Sequence, residues 1–325
     1  MSRRLLLCTV LALSLLPSGP RSAKADSNSP SWQGPETLGQ ITEPQINEAS
    51  GLAHSYSESG LLWTNNDSGN APVLYAVDAQ GRHRGSVRIE GATNRDWEDV
   101  ASYQIDGRAY LIAADVGDNS ATYPECVLYV IAEPDPAELS PSHELFAKPE
   151  RIIRYVYPDG PRDCESLAVD TTERAIYVIS KRTKPPVAYR LPLFPENSGA
   201  PLRAETVGPV NGIAEPSGLI SRMSVPWGKW RAQVCSLDIS RDGLRAAVLT
   251  YGEVYLYERR EGEDWASAFA RGGQQLAAHN LPQAEGLCFS PDGQEIYVTT
   301  EGLPAPLLRY RLSQETGQSA SGATP

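Results

Sequence analysis

An all-β fold is the class this sequence predicts, and three observations predict it. Turn-forming residues are abundant, with 27 Gly and 26 Pro in 325 residues that are 41% hydrophobic. No apolar stripe at helical spacing runs beyond a turn or two. One strand–turn–strand–strand pattern recurs five times along the chain.

Each unit opens with a polar or acidic residue, a small residue and an apolar one. The five openings are Ser50-Gly51-Leu52-Ala53, Glu98-Asp99-Val100-Ala101, Glu165-Ser166-Leu167-Ala168, Cys235-Ser236-Leu237-Asp238 and Glu285-Gly286-Leu287-Cys288. A second apolar run follows in each, such as Ala175-Ile176-Tyr177-Val178-Ile179, and then a third, such as Val187-Ala188-Tyr189-Arg190-Leu191. Turn signals such as Arg241-Asp242-Gly243 and Ser290-Pro291-Asp292-Gly293 separate the first two runs. The openings stand 48, 67, 70 and 50 residues apart. Short strands repeating at that period are blades of a β-propeller around a central channel, whereas a sandwich lacks the recurring unit.

The expected organisation is one propeller over residues 45–313 with five blades, or six if residues 200–234, around Trp227 and Trp230, hide another. Residues 26–44 read as a linker whose Leu38 to Ile41 would supply a closing strand. Residues 314–325, rich in Ser, Gly, Thr and Gln, read as a loose tail. The first 25 residues read as a secretory leader: Arg3 and Arg4, an apolar run from Leu5 to Leu16, then Ala23-Lys24-Ala25 before Asp26. That run is too short to span a bilayer, and no later segment is long and apolar enough. A secreted or periplasmic monomer is expected. Cys126, Cys164, Cys235 and Cys288 would then meet an oxidising compartment, as disulfides or as small buried hydrophobes; their spacing matches no zinc pattern.

A net charge of −11 excludes nucleic acid as a natural partner, and four His make a multi-His metal centre a poor fit. Oxygen-rich cation sites remain open. In a blade, the start of strand one and the end of strand two lie on the same face of the disc. That geometry gathers Glu98, Glu165 and Glu285 from strand-one starts, with Asp67, Asp115, Asp118, Glu301, Lys181 and Arg182 from strand-two ends. Asp96 and Glu98, two apart, point the same way. So dense a ring of carboxylates repels itself unless a hard cation neutralises it, and Ca²⁺ tolerates an irregular oxygen cage. Asn65, Asn66 and Asn119 could add neutral oxygens.

Trp63-Thr64-Asn65-Asn66-Asp67-Ser68-Gly69, Asp96-Trp97-Glu98-Asp99-Val100-Ala101 and Asp115-Val116-Gly117-Asp118-Asn119 resemble motifs of a phytase-like group of exported bacterial β-propellers. Ala284-Glu285-Gly286-Leu287 and Thr300-Glu301-Gly302 do the same. The group is distantly similar to calcium-dependent β-propeller phytases and to the gluconolactonase superfamily, and the likeness spans about residues 45–312. It implies the propeller fold.

The functional expectation is a Ca²⁺ held by Glu98, Glu165, Glu285, Asp67, Asp115, Asp118 and Glu301. Glu285 and Glu98 would be catalytic, and Lys181 and Arg182 would hold a small anionic substrate, a phosphate ester or lactone. The other expectation is an exported, non-enzymatic propeller that binds a protein or glycan partner, the cation being structural. No Gly-x-Ser-x-Gly elbow is present, and His54, His83, His143 and His279 show no helper spacing.

Overall fold

The computed structural model describes residues 31–196, 199–223 and 228–313. The expected leader, the expected tail and Trp227 lie outside those residues. The first strand, β1 (Trp32–Ile41), pairs antiparallel with Ala305–Leu312 at the other end of the chain, so one sheet joins the two ends.

Blade 1 contains β2 (Ala53–His54), β3 (Leu61–Asn65), β4 (Val73–Asp78) and β5 (His83–Ile89). Blade 2 follows with β6 (Trp97–Ile105), β7 (Arg108–Asp115) and β8 (Cys126–Ala132). The chain then leaves as β9 (Glu144–Ala147), which pairs parallel with β5 at the rim of blade 1, and returns as β10 (Arg151–Val156) to close blade 2. Blade 3 has β11 (Cys164–Asp170), β12 (Ala175–Ser180) and β13 (Val187–Pro192). Here β14 (Leu202–Arg203) reaches back to pair with β10, and β15 (Glu205–Pro209) closes the blade. The two reaching strands cover edges that would otherwise be open to pairing with other chains.

Blade 4 comprises β16 (Val234–Ile239), β17 (Arg245–Thr250), β18 (Val254–Glu258) and the short β19 (Gln274–Gln275). Between β18 and β19 lies helix α1 (Trp265–Arg271), started by the Asp264 side chain, which accepts the Ser267 N–H at 2.8 Å. Blade 5 is β20 (Ala284–Phe289), β21 (Glu295–Thr300), β22 (Ala305–Leu312) and β1. The innermost strands β2, β6, β11, β16 and β20 pack on one another in that order, and β20 packs on β2 to complete the ring.

The described residues hold five blades and no sixth. In residues 200–234, β14 and β15 serve blades 2 and 3, and the described remainder carries one 3₁₀ turn (Ile220–Arg222) before β16. The expectation failed there because two short strands belong to older blades rather than to a new one.

Apolar runs form strands here because both faces of each blade are buried. Successive side chains alternate, so Leu111 and Ala113 of β7 enter the core shared with blade 1. Ile112 and Ala114 enter the core shared with blade 3. Five such cores, one per pair of adjacent blades, include the fully buried Trp63, Trp97 and Trp265.

Two carboxylates add polar ties across the channel wall. Asp99 of β6 accepts the Leu167 N–H of β11 at 2.9 Å and the Ser236 hydroxyl of β16 at 3.1 Å. Asp238 of β16 accepts the Phe289 N–H of β20 at 2.7 Å. Cys126, Cys164, Cys235 and Cys288 are buried free thiols. No helix among the described residues is long and apolar enough to cross a membrane.

Candidate functional site at the channel mouth

One backbone hydrogen bond, repeated in all five blades, builds the mouth. The N–H groups of Asp67, Val116, Lys181, Tyr251 and Glu301, just past each second strand, donate to the carbonyls of Glu48, Asp96, Asp163, Gln233 and Gln283. Two residues further along each inner strand stand Ser50, Glu98, Glu165, Cys235 and Glu285. In blades 2 to 5 this position falls in a register shift, between Trp97 and Asp99, Cys164 and Leu167, Val234 and Ser236, and Ala284 and Gly286. A β-bulge re-aims a side chain, and here it sets Glu98, Glu165 and Glu285 at the mouth.

A cavity of 310 Å³ opens there, lined by Asp67, Glu98, Glu165, Glu285 and Glu301 with Lys181 and Tyr251. Asn119, Arg182, Trp230, Gln233 and Gln283 complete its rim. The carboxylates group in two sets. On the side of blades 1 and 2, one ligand atom each from Asp67, Asp96 and Glu98 lies within 4.8 Å of the others. Gly117 backs this trio: a Cβ there would stand 2.2 Å from Glu98 Oε1 and 2.6 Å from Asp96 Oδ2, so only glycine leaves both carboxylates in place.

On the other side runs a chain of contacts. Lys181 Nζ is paired with Glu165 Oε1 and donates to the Tyr251 hydroxyl at 3.0 Å, which donates to Glu285 Oε1 at 2.9 Å. Glu165 Oε2 is buried without a hydrogen-bond partner. Arg182 pairs with Asp163 at 2.5 Å and reaches Asn119 Oδ1.

Crowding and burial push the acids toward their protonated forms. Burial, reinforced by Asp67, Asp163 and Asp115, raises Asp96 to about 6. Burial, then Glu285, raises Glu301 to about 9. Burial moves Glu98, Glu285 and Asp67 in the same direction, with Lys181 opposing it for each. A cation that exchanges with these protons would relieve the same crowding.

Of the residues expected at the mouth, Asp67, Glu98, Glu165, Lys181, Arg182, Glu285 and Glu301 share the one cavity. Asp115 and Asp118 do not. Asp115 is the last residue of β7, one position short of the ring, and strand alternation turns it away. Its Oδ1 accepts the Asp96 N–H at 3.0 Å and faces Arg95 Nε at 3.4 Å. Asp118 accepts the Tyr123 N–H at 2.7 Å and lines a neighbouring pocket. Asn65 and Asn66 engage backbone carbonyls, of Trp97 at 3.2 Å and Gln45 at 2.7 Å.

Tyr251 was missed, although its place after Thr250 matches Lys181 after Ser180 and Glu301 after Thr300. The signal was the shared position, not the residue type. Tyr251→Phe removes a hydroxyl that joins a buried ammonium to a buried carboxylate. The expected cost is about 2 kcal/mol, within the range for hydrogen bonds to charged groups, read from urea unfolding midpoints. An unchanged midpoint would show the bridge to be idle.

The fold makes the chain a five-bladed β-propeller with an acidic channel mouth. No family model matches it, and no curated protein matches it. Among solved structures it is similar to a PQQ-bound aldose sugar dehydrogenase from Streptomyces coelicolor, at 11% identity and a TM-score of 0.49, over 89% of this chain and 100% of that one. It is also similar to a luciferin-regenerating enzyme, at 11% identity and a TM-score of 0.40, over 87% and 96% of the two chains. A hydrazine synthase from Kuenenia stuttgartiensis matches at 11% identity and a TM-score of 0.36, over 77% of this chain and 61% of that one. The chemistry of the mouth rests on its own residues.

Proposed function

We propose that the protein is an exported, phytase-like propeller that binds Ca²⁺ at the channel mouth and hydrolyses a small anionic ester, a phosphate ester or lactone. The observation that carries this reading is the convergence of Asp67, Asp96 and Glu98 within 4.8 Å. The donors are all carboxylate oxygens, the set a hard cation prefers, and three carboxylates can offer up to about six oxygens to an ion that takes six to eight. Such an ion would polarise the ester.

Glu285 lies in the same cavity, where Tyr251 fixes its Oε1, and this chain offers it as the group that accepts a proton from water. Lys181 and Arg182 hold positive charge on the side of blade 3. Both are already ion-paired, which favours a second reading: a non-enzymatic propeller that binds an exported protein or glycan, the cation being structural.

Turnover separates the two. Under the first reading, purified protein with Ca²⁺ hydrolyses at least one member of a panel of phosphomonoesters, phosphodiesters and lactones. Glu285→Gln, which keeps the shape and removes the charge, then lowers kcat on the order of 10²- to 10⁴-fold with the fold intact by circular dichroism. A wild-type protein that binds Ca²⁺ and turns over nothing on the panel decides for the binding module.

A further inference from the structure

A second cavity, of 210 Å³, opens on the same face between blades 2 and 3. Its walls come from the segment between β7 and β8, the end of β10 and the segment that leads into β11. Only one residue step separates it from the mouth: Asp118 lines this cavity, and Asn119, next in the chain, lines the other. The partition is braced, because the Asp118 N–H donates to Asp163 Oδ1 at 3.1 Å while Asp163 Oδ2 holds Arg182.

Rings and prolines line the interior. Tyr155 and Tyr157 meet edge to face at 5.3 Å with their hydroxyls 3.0 Å apart, and Pro124 and Pro161 stand beside them. Tyr123 closes one side and is held in place before any ligand arrives: the Arg95 guanidinium lies 4.0 Å from its ring centre, and its N–H is bonded to Asp118. At the rim Arg162 pairs with Asp159 and Glu125 with Arg154, and the Asp118 carboxylate, which accepts the Tyr123 N–H, adds a negative charge to the wall. The pocket therefore offers the exposed ring of Tyr123 and two prolines above a floor of buried tyrosines, and its lining cation, Arg162, is already paired, so nothing in it holds an anion. An apolar cavity of about 150 Å³ is enough to hold benzene, so this one has room for a single six-membered ring.

We propose that the pocket between blades 2 and 3 is a binding subsite for an uncharged aromatic ring, placed so that a ligand seated in it can extend past Asp118 and Asn119 into the channel mouth. The site stands on its own walls and does not require the mouth to be hydrolytic.

Phenol, neutral at pH 7, is the probe, with benzoate as its charged counterpart, and binding is read by saturation-transfer NMR on the whole chain. Phenol is expected to bind wild type in the millimolar range, equally with Ca²⁺ or with chelator present, and benzoate at least fivefold more weakly. Val156→Trp, which fills the pocket from β10, should weaken phenol at least tenfold. Tyr123→Ala, a change at a partly exposed side chain, should weaken it severalfold and serves if the larger substitution does not fold. Three results would each overturn the subsite: no transfer to phenol in wild type, undiminished transfer in folded variants, or benzoate bound as tightly as phenol. Loss of phenol binding in chelator alone would also overturn it, by tying the signal to the mouth instead.

Discussion

Asp99→Ala should unfold more of this protein's stability than any substitution at the mouth. The carboxylate is fully buried and accepts the N–H groups of Val100 and Leu167, each at 2.9 Å, and the Ser236 hydroxyl at 3.1 Å. It therefore ties three blades together at the channel wall. Alanine leaves those donors buried with no acceptor, at about 1–3 kcal/mol each, so a total near 4 kcal/mol is expected. Asn in its place keeps one acceptor oxygen but points an amide donor at other donors, and should cost nearly as much. An exposed acid such as Glu261, changed to Ala, should cost less than about 0.5 kcal/mol. Urea denaturation of the three variants checks the ranking; an Asp99→Ala loss below 1 kcal/mol would mean that the apolar interblade cores hold the ring unaided.

The second large effect is on pH dependence. Carboxyls whose pKa is raised in the folded state bind more protons folded than unfolded, so stability falls as pH climbs through the raised values. Glu301, raised to about 9, extends that fall above pH 7, and Glu98 and Glu285, raised by burial, act in the same direction. Asp96, at about 6, contributes lower down. His279, lowered to about 4, and His54, also lowered by burial, act in the opposite sense between about pH 4 and 6.5. Above about pH 8.5 the thiols join in, Cys126 being raised to about 12 and Cys164 to about 11.

The interval from pH 7 to 8.5 thus isolates the carboxylates. In chelator, the melting temperature should fall across it. With millimolar Ca²⁺ the fall should be smaller, and the gap between the two curves should widen with pH, because cation and proton compete for the same oxygens. A constant gap would place any Ca²⁺ effect away from the mouth.

The openings at Glu98, Glu165 and Glu285 were legible because a propeller repeats one local solution, and a polar residue before a buried apolar strand marks the channel mouth each time. The two-residue spacing of Asp96 and Glu98 showed that they point the same way, yet Asp96 was absent from the expected cation ligands and joins them only through its approach to Asp67. Asp115 misled because the end of a strand read from sequence is uncertain by a residue, and one residue inverts the direction of a side chain. Tyr251 escaped because its role comes from its neighbours Lys181 and Glu285 in other blades, contacts that no local pattern encodes. The extra strands β9 and β14 were hidden for a similar reason: their partners lie on the preceding blade.

The central claim is that the Asp67–Asp96–Glu98 trio binds Ca²⁺. Titration calorimetry of Ca²⁺ into chelator-stripped protein at pH 7.5 tests it most directly, run on wild type, Asp96→Asn and Glu98→Gln. A saturable site in wild type, weakened at least tenfold in both folded variants, is the predicted result. No binding in wild type, or unchanged affinity in the two variants, would contradict it.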